Sequence, residues 1–116
     1  MKYLFILNDP PYGTERSYNG LRLVNSLAQN ESTEVRVFLM GDAAFCAKAG
    51  QNTPNGYYNL EKMIAVAIKR GVIIGICGSC MDARGLTSEE IAAGTSRGSL
   101  QILAEWTEWA DKVLVF

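Results

Sequence analysis

Apolar and polar positions along this chain fall into short blocks of two kinds. Near-continuous apolar runs at 2–7, 34–40, 72–76 and 112–116 have the pattern of strands covered on both faces. Between them apolar residues recur every three to four positions, as Tyr18, Leu21, Val24, Leu27 and Ala28 do within 15–29. Leu60, Met63, Ile64, Ala67 and Ile68 repeat that spacing after Asn59, and Leu100, Leu103, Trp106 and Ala110 repeat it after Ser99. Such spacing puts one apolar stripe on a helix, so three amphipathic helices are predicted.

The breaks agree with this division. Two prolines and a glycine in Asn8-Asp9-Pro10-Pro11-Tyr12-Gly13 end the first strand, and Thr14 is placed to cap the helix that follows, with Glu15 at its positive end. Gly41 closes the second strand and Asp42 caps a short helix over 43–49. Residues 51–56 read as a mobile polar loop, and Lys69, Arg70 and Gly71 suit the end of the helix begun at Asn59. Residues 81–86 read as a polar loop, and Thr87-Ser88-Glu89-Glu90 as a capping box opening a short helix that stops near Gly94. Strands alternating with helices predict an α/β fold: one domain over 1–116, three α/β/α layers, and a mostly parallel central sheet of four to five strands.

Composition removes several function classes. The formal net charge is −1, which gives no electrostatic footprint for nucleic acid or an anionic membrane. No stretch approaches the roughly 18 apolar residues of a transmembrane helix. The apolar run at 3–7 is too short for a signal sequence and lacks a cleavage site, so it reads as a core strand. Three cysteines are too few for a disulfide framework, and a reducing, cytoplasmic setting is expected.

With no histidine in the chain, sulfur is the leading nucleophile. Cys77 and Cys80 follow the run 72–76, and in an open α/β sheet reacting groups collect beyond the carboxyl ends of strands. A thiol with a reference pKa of ~8.5 reacts as thiolate, which a helix amino terminus or Arg84 would favour. The plain structural reading makes Cys77 a small apolar residue ending a strand. A Cys-x-x-Cys pair is also half of a zinc site, but only Cys46 remains as a thiol ligand, so no metal is expected. In disulfide-exchange centres the pair opens a long helix, whereas here the next helix signal is at Thr87.

The turn Pro10-Pro11-Tyr12-Gly13-Thr14 emerges on the same sheet edge as Cys77 if the first and third strands are parallel, and its main-chain N–H groups would then attract an anion. It serves equally as a tight strand-to-helix connection. Neither a Walker loop nor a Gly-x-Gly-x-x-Gly turn follows the first strand, and no cofactor is implied. Cys46, among Ala43, Ala44, Phe45 and Ala47, reads as packing. Tyr57 and Tyr58 read as an aromatic lid over the core or a subunit contact, ahead of a ligand-stacking pair, Trp106 as core and Trp109 as an interface anchor.

These residues together resemble the DsrE/TusD family of small sulfur-relay proteins. The resemblance runs through Pro11-Tyr12-Gly13, Leu21-Arg22-Leu23, Val37-Phe38-Leu39-Met40, Asp42-Ala43, Cys77 with Cys80, Asp82, Arg84-Gly85 and Ala110-Asp111-Lys112-Val113-Leu114, in order and over the whole chain. It implies a flavodoxin-like fold and a homo-oligomer, trimeric or with trimers paired into hexamers. It also implies that a cysteine matching Cys77 carries sulfane sulfur as a persulfide, with the Pro-Tyr-Gly turn close by. Relay members commonly have alanines after that cysteine, whereas this chain has Gly78-Ser79-Cys80.

The function expected is sulfur transfer, with Cys77 as acceptor, Cys80 as resolving thiol, and Pro11, Tyr12, Gly13, Thr14, Gly78 and Arg84 as binding residues. Its rivals are a thiol–disulfide redox protein using Cys77 and Cys80, and a non-enzymatic homo-oligomeric binding module.

Overall fold

Each apolar run becomes a strand of one sheet. The computed structural model describes residues 1–116. Strands β1 (Lys2–Leu7), β2 (Glu34–Leu39), β3 (Ile73–Cys77), β4 (Thr95–Gly98) and β5 (Lys112–Val115) stand in the order β4-β3-β2-β1-β5, with every neighbouring pair parallel. Helices α1 (Arg16–Leu27), α2 (Leu60–Lys69), α3 (Gly78–Ala83) and α4 (Leu100–Trp109) lie in the connections. The chain steps outward from β1 to β4, and α4 then returns it to the opposite edge.

Side chains alternate across each strand, so the sheet has two apolar faces. Phe5, Leu7, Val37, Leu39, Ile74 and Ile76 meet Leu21 and Val24 of α1 and Leu60, Ile64 and Ala67 of α2 in the larger core. Leu4, Phe38 and Cys77 on the other face meet Leu103 of α4, with half-buried Ile6, Met40, Ile102, Trp106 and Ala110 around them. Gly75 makes this packing possible, since a Cβ there would stand 3.1 Å from the Trp106 ring. That ring meets Phe38 edge-on at 6.0 Å. Trp109 is half-buried, with the Arg36 guanidinium 3.9 Å from its ring centroid.

Four sequence expectations need correction. The polar loop expected at 81–86 is largely helix: α3 begins at Gly78, directly after β3. A strand was not expected at Thr95–Gly98, because Thr-Ser-Arg-Gly carries no apolar alternation; β4 is an edge strand paired only with β3. The capping box at Thr87 and Glu90 is present, but its 3-10 turn ends at Glu90 and not near Gly94. There the backbone turns to the segment before it, with Ala49 N–H donating to the Glu90 carbonyl and Ala92 N–H to that of Ala47. The short helix expected at 43–49 is a 3-10 segment, Gly41–Ala47. The polar loop expected at 51–56 is present, and at its start the Gln51 side chain donates to the carbonyls of Cys46 and Lys48 at 2.9 Å.

Candidate functional site

The register of β3 decides which way its last residue faces. Ile74 and Ile76 enter the larger core, so Cys77, one position on, falls on the α4 face. It is both the last residue of β3 and the N-cap of α3, where its sulfur takes the place usually held by a Ser or Asp oxygen. Cys80 N–H donates to Cys77 Sγ at 3.3 Å, and the Ser79 hydroxyl lies 3.4 Å from it. Burial opposes ionisation of Cys77. Hydrogen bonds from the Cys80 thiol, the Ser79 hydroxyl and the N–H groups of both residues outweigh it, holding Cys77 below the ordinary thiol range.

Cys80 behaves oppositely. Burial, and donation of its proton to Cys77, push its pKa up, although its Sγ accepts from Gly41 N–H at 3.2 Å. The first proton lost therefore comes from Cys77, and Cys80 stays a thiol beside it. Arg84, expected near the Cys77 thiolate, supports Cys80 instead: it donates to Asp42 Oδ1 at 2.9 Å and to the Cys80 carbonyl at 3.1 Å.

Cys77 is only 8% exposed, but it opens on a cleft of about 550 Å³. Phe38, Met40 and Leu100 supply apolar walls, and Ser79, Arg97 and Ser99 supply the polar groups. Arg97 had no signal in the sequence beyond being a lone cation in a polar stretch, because the strand carrying it was not legible. Its guanidinium makes a two-pronged bond with Asp82, at 2.8 Å to each carboxylate oxygen. That bond holds the Asp82 carboxyl below its ordinary range. A Cβ on Gly78 would stand 2.8 Å from the guanidinium carbon, so Gly78 is what allows Arg97 to lie against the backbone next to Cys77.

The turn expected beside the thiolate has other neighbours. Tyr12 donates its hydroxyl proton to Gln51, accepts from Leu60 N–H at 3.2 Å, and stacks on Tyr58. Thr14 donates to Asp9 at 2.8 Å. Pro11 is buried and Gly13, at a φ of 97°, turns the chain. None of Pro11, Tyr12, Gly13 and Thr14 lines the Cys77 cleft. Tyr58 is held between Tyr12 and Tyr18, while Tyr57 is exposed. Cys46 is fully buried, and burial pushes its thiol up to about 12, which makes it inert at neutral pH.

A family model described as DsrE/DsrF-like matches residues 1–116. The chain belongs to the DsrE/DsrF-like family. Protein YchN of Escherichia coli (strain K12) is 38% identical to it over 116 residues, covering 99% of this chain and 98% of that protein. An uncharacterized protein of Methanopyrus kandleri is 34% identical over 111 residues, covering 96% of this chain and 90% of its own length. The crystal structure of the E. coli ychN protein superposes with a TM-score of 0.93 at 37% identity, over 99% of this chain and 98% of that one. Fold and family thus agree with the expectation drawn from the residues, and DsrE/DsrF-like membership is consistent with sulfur-relay chemistry. No helix of this DsrE/DsrF-like chain is long and apolar enough to cross a membrane.

Proposed function

We propose that this protein carries sulfane sulfur on Cys77. The carrying observation is that the one thiol opening on a cleft also collects the hydrogen bonds that favour its thiolate. In the transfer step the Cys77 thiolate attacks the outer sulfur of a donor persulfide R–S–SH. A sulfur–sulfur bond forms to Cys77, the donor's sulfur–sulfur bond breaks, and its electron pair leaves as R–S⁻. N–H groups at the start of α3 and the Ser79 hydroxyl stabilise the anion throughout. Incubation with a persulfide donor followed by intact-mass measurement is the test: wild type gains one sulfur and Cys77→Ser gains none. Equal gain by the variant removes the reading.

A second reading follows from the Cys80 thiol hydrogen-bonded to the Cys77 sulfur. Once ionised, Cys80 attacks the inner sulfur of the Cys77 persulfide, giving a Cys77–Cys80 disulfide and releasing the outer sulfur as hydrogen sulfide. The two cysteine thiols are oxidised and the sulfane sulfur is reduced, so no further oxidant is required. This makes the pair redox-active, and Cys80→Ser retains bound sulfur that wild type releases.

The assembly proposed is a homo-oligomer, a trimer or a hexamer. Ile73, Val113 and Val115 remain exposed on the sheet face that α4 covers. Light scattering that returns a monomer at working concentration removes this part alone.

A further inference from the structure

Beside the Cys77 sulfur stands a cation with two of its five N–H donors engaged. The two-pronged bond to Asp82 engages one N–H on each terminal nitrogen of Arg97. A guanidinium has five N–H donors, so the Nε–H and one N–H on each terminal nitrogen remain. The side chain is 45% exposed, and it lines the same cleft as Cys77. Arg97 is a permanent cation, and its strongest partner is Asp82, by hydrogen bond first and by charge second, with the Cys77 sulfur a lesser influence. Asp82 thus fixes the direction of the fork and leaves its other edge open. A cleft of about 550 Å³ with apolar walls and a few polar groups has the size and lining of a small-molecule site.

We propose that the sulfur donor or acceptor at Cys77 is a low-molecular-weight organic persulfide or thiol bearing a carboxylate, and that Arg97 recognises that carboxylate. The inference rests on sulfur carriage by Cys77 and adds the chemical class of what it exchanges with. The ligand's carbon frame lies against Phe38, Met40 and Leu100, its sulfur meets Cys77, and its carboxylate takes the open donors of Arg97. Asp82 is a positioning residue, acting only through Arg97. Sulfur passes in as in the transfer step above, with R–S⁻ leaving. The reverse step returns the outer sulfur to an acceptor thiolate.

Two reagents of similar shape and different charge separate recognition of the anion from general reactivity. Cys77 is alkylated in the folded protein with iodoacetate and with iodoacetamide, its modification is followed by peptide mass mapping of quenched samples, and the rate ratio is referred to that of a free thiol. Wild type favours the anionic reagent. Arg97→Gln lowers the ratio about tenfold, the loss expected for one charge-assisted contact, and Arg97→Lys lowers it less. A ratio unchanged in a folded Arg97→Gln overturns the proposal.

Wild type alone gives an independent reading: S-methylglutathione, which cannot react, protects Cys77 from iodoacetamide, and lack of protection counts against the site. Loading is then compared between glutathione persulfide and the neutral 2-hydroxyethyl persulfide. Loading that ignores both the carboxylate and Arg97, or that occurs only from a protein-bound persulfide, overturns the inference and leaves sulfur carriage standing. No loading from any persulfide, with the alkylation ratio still dependent on Arg97, overturns sulfur carriage and the persulfide identity with it.

Discussion

The two faces of the sheet carry similar apolar residues and do different work. The face under α1 and α2 is closed: Phe5, Leu7, Val37, Leu39, Ile74 and Ile76 are fully buried there, and so is Cys46. The other face has one helix, α4, and at the β3 end beside it the Cys77 cleft stays open. Two residues of the same type thus meet opposite fates. Cys46 is sealed and held as a thiol, whereas Cys77, near the end of α4's reach, has donors on its sulfur and space in front of it. What separates the two thiols is incomplete cover plus local hydrogen bonds, and residue type alone does not distinguish them.

The widest separation is chemical. Cys77→Ser abolishes sulfur loading, while Cys46→Ala leaves it at the wild-type level, both read by intact mass. Loss of loading in the Cys46 variant while it remains folded would break the division between a sealed and an open thiol. Next comes packing. Ile64→Ala empties a site in the closed core and costs about 2–5 kcal/mol in denaturant unfolding, as large-to-small changes in such cores do. Leu100→Ala on the cleft wall, where the residue is 73% exposed, changes stability by less than about 0.5 kcal/mol. Comparable costs would mean that the second face is as closed in solution as the first.

Stability against pH sharpens the contrast. Cys46 is held as a thiol in the fold up to about 12 and ionises at ~8.5 when unfolded, so the folded state binds the proton more tightly. The stability this contributes is complete below ~8.5 and is lost as pH rises from there through the folded value, at a slope approaching ~1.4 kcal/mol per pH unit. Cys46→Ala removes that part of the alkaline decline. The sign is opposite for Cys77: its folded pKa is depressed, so its contribution is present above the unfolded value and is lost as pH falls through the folded one. Chemical unfolding of Cys46→Ala and Cys77→Ser, followed across a pH range that runs from well below ~8.5 to well above it, reads both slopes, the Cys77 slope on the low side and the Cys46 slope on the high side.

Much of the closed face was legible in the sequence. The helix stripes Leu21 and Val24, and Leu60, Ile64 and Ala67, bury as spacing predicts, because a helix packed on a sheet needs one apolar face and periodicity reports it directly. The parallel α/β layering followed from strand–helix alternation. The open face was less legible. Gly78 and Ser79 are weak helix formers and cysteine is an unusual N-cap, so α3 was hidden and residues 81–86 read as loop. An edge strand built of Thr95, Ser96, Arg97 and Gly98 has no pattern to detect, and Arg97 went unnoticed with it. Cys77 was found by its place after a strand. Which charge stands beside it is a fact of long-range pairing: Arg97 meets Asp82 and Gly78 because β4 lies next to β3, whereas Arg84, close in sequence, pairs with Asp42.

The smallest effect tests the local hydrogen bonds by themselves. Ser79→Ala leaves the cleft, Arg97 and the Cys80 N–H in place and removes one hydroxyl from the Cys77 sulfur. The thiolate loses a donor, so the Cys77 pKa rises toward that of an ordinary thiol, and alkylation by iodoacetamide at neutral pH slows about twofold, a small loss fitting one weak hydrogen bond among several. The pH of half-maximal rate moves upward, while the rate at pH well above both thiols is unchanged, since the ionised sulfur is equally exposed in the two proteins. A drop that persists at high pH would mean that Ser79 shapes access to the cleft. No change at any pH would leave the Cys80 thiol and the main-chain N–H groups of Ser79 and Cys80 as the donors that lower the Cys77 pKa.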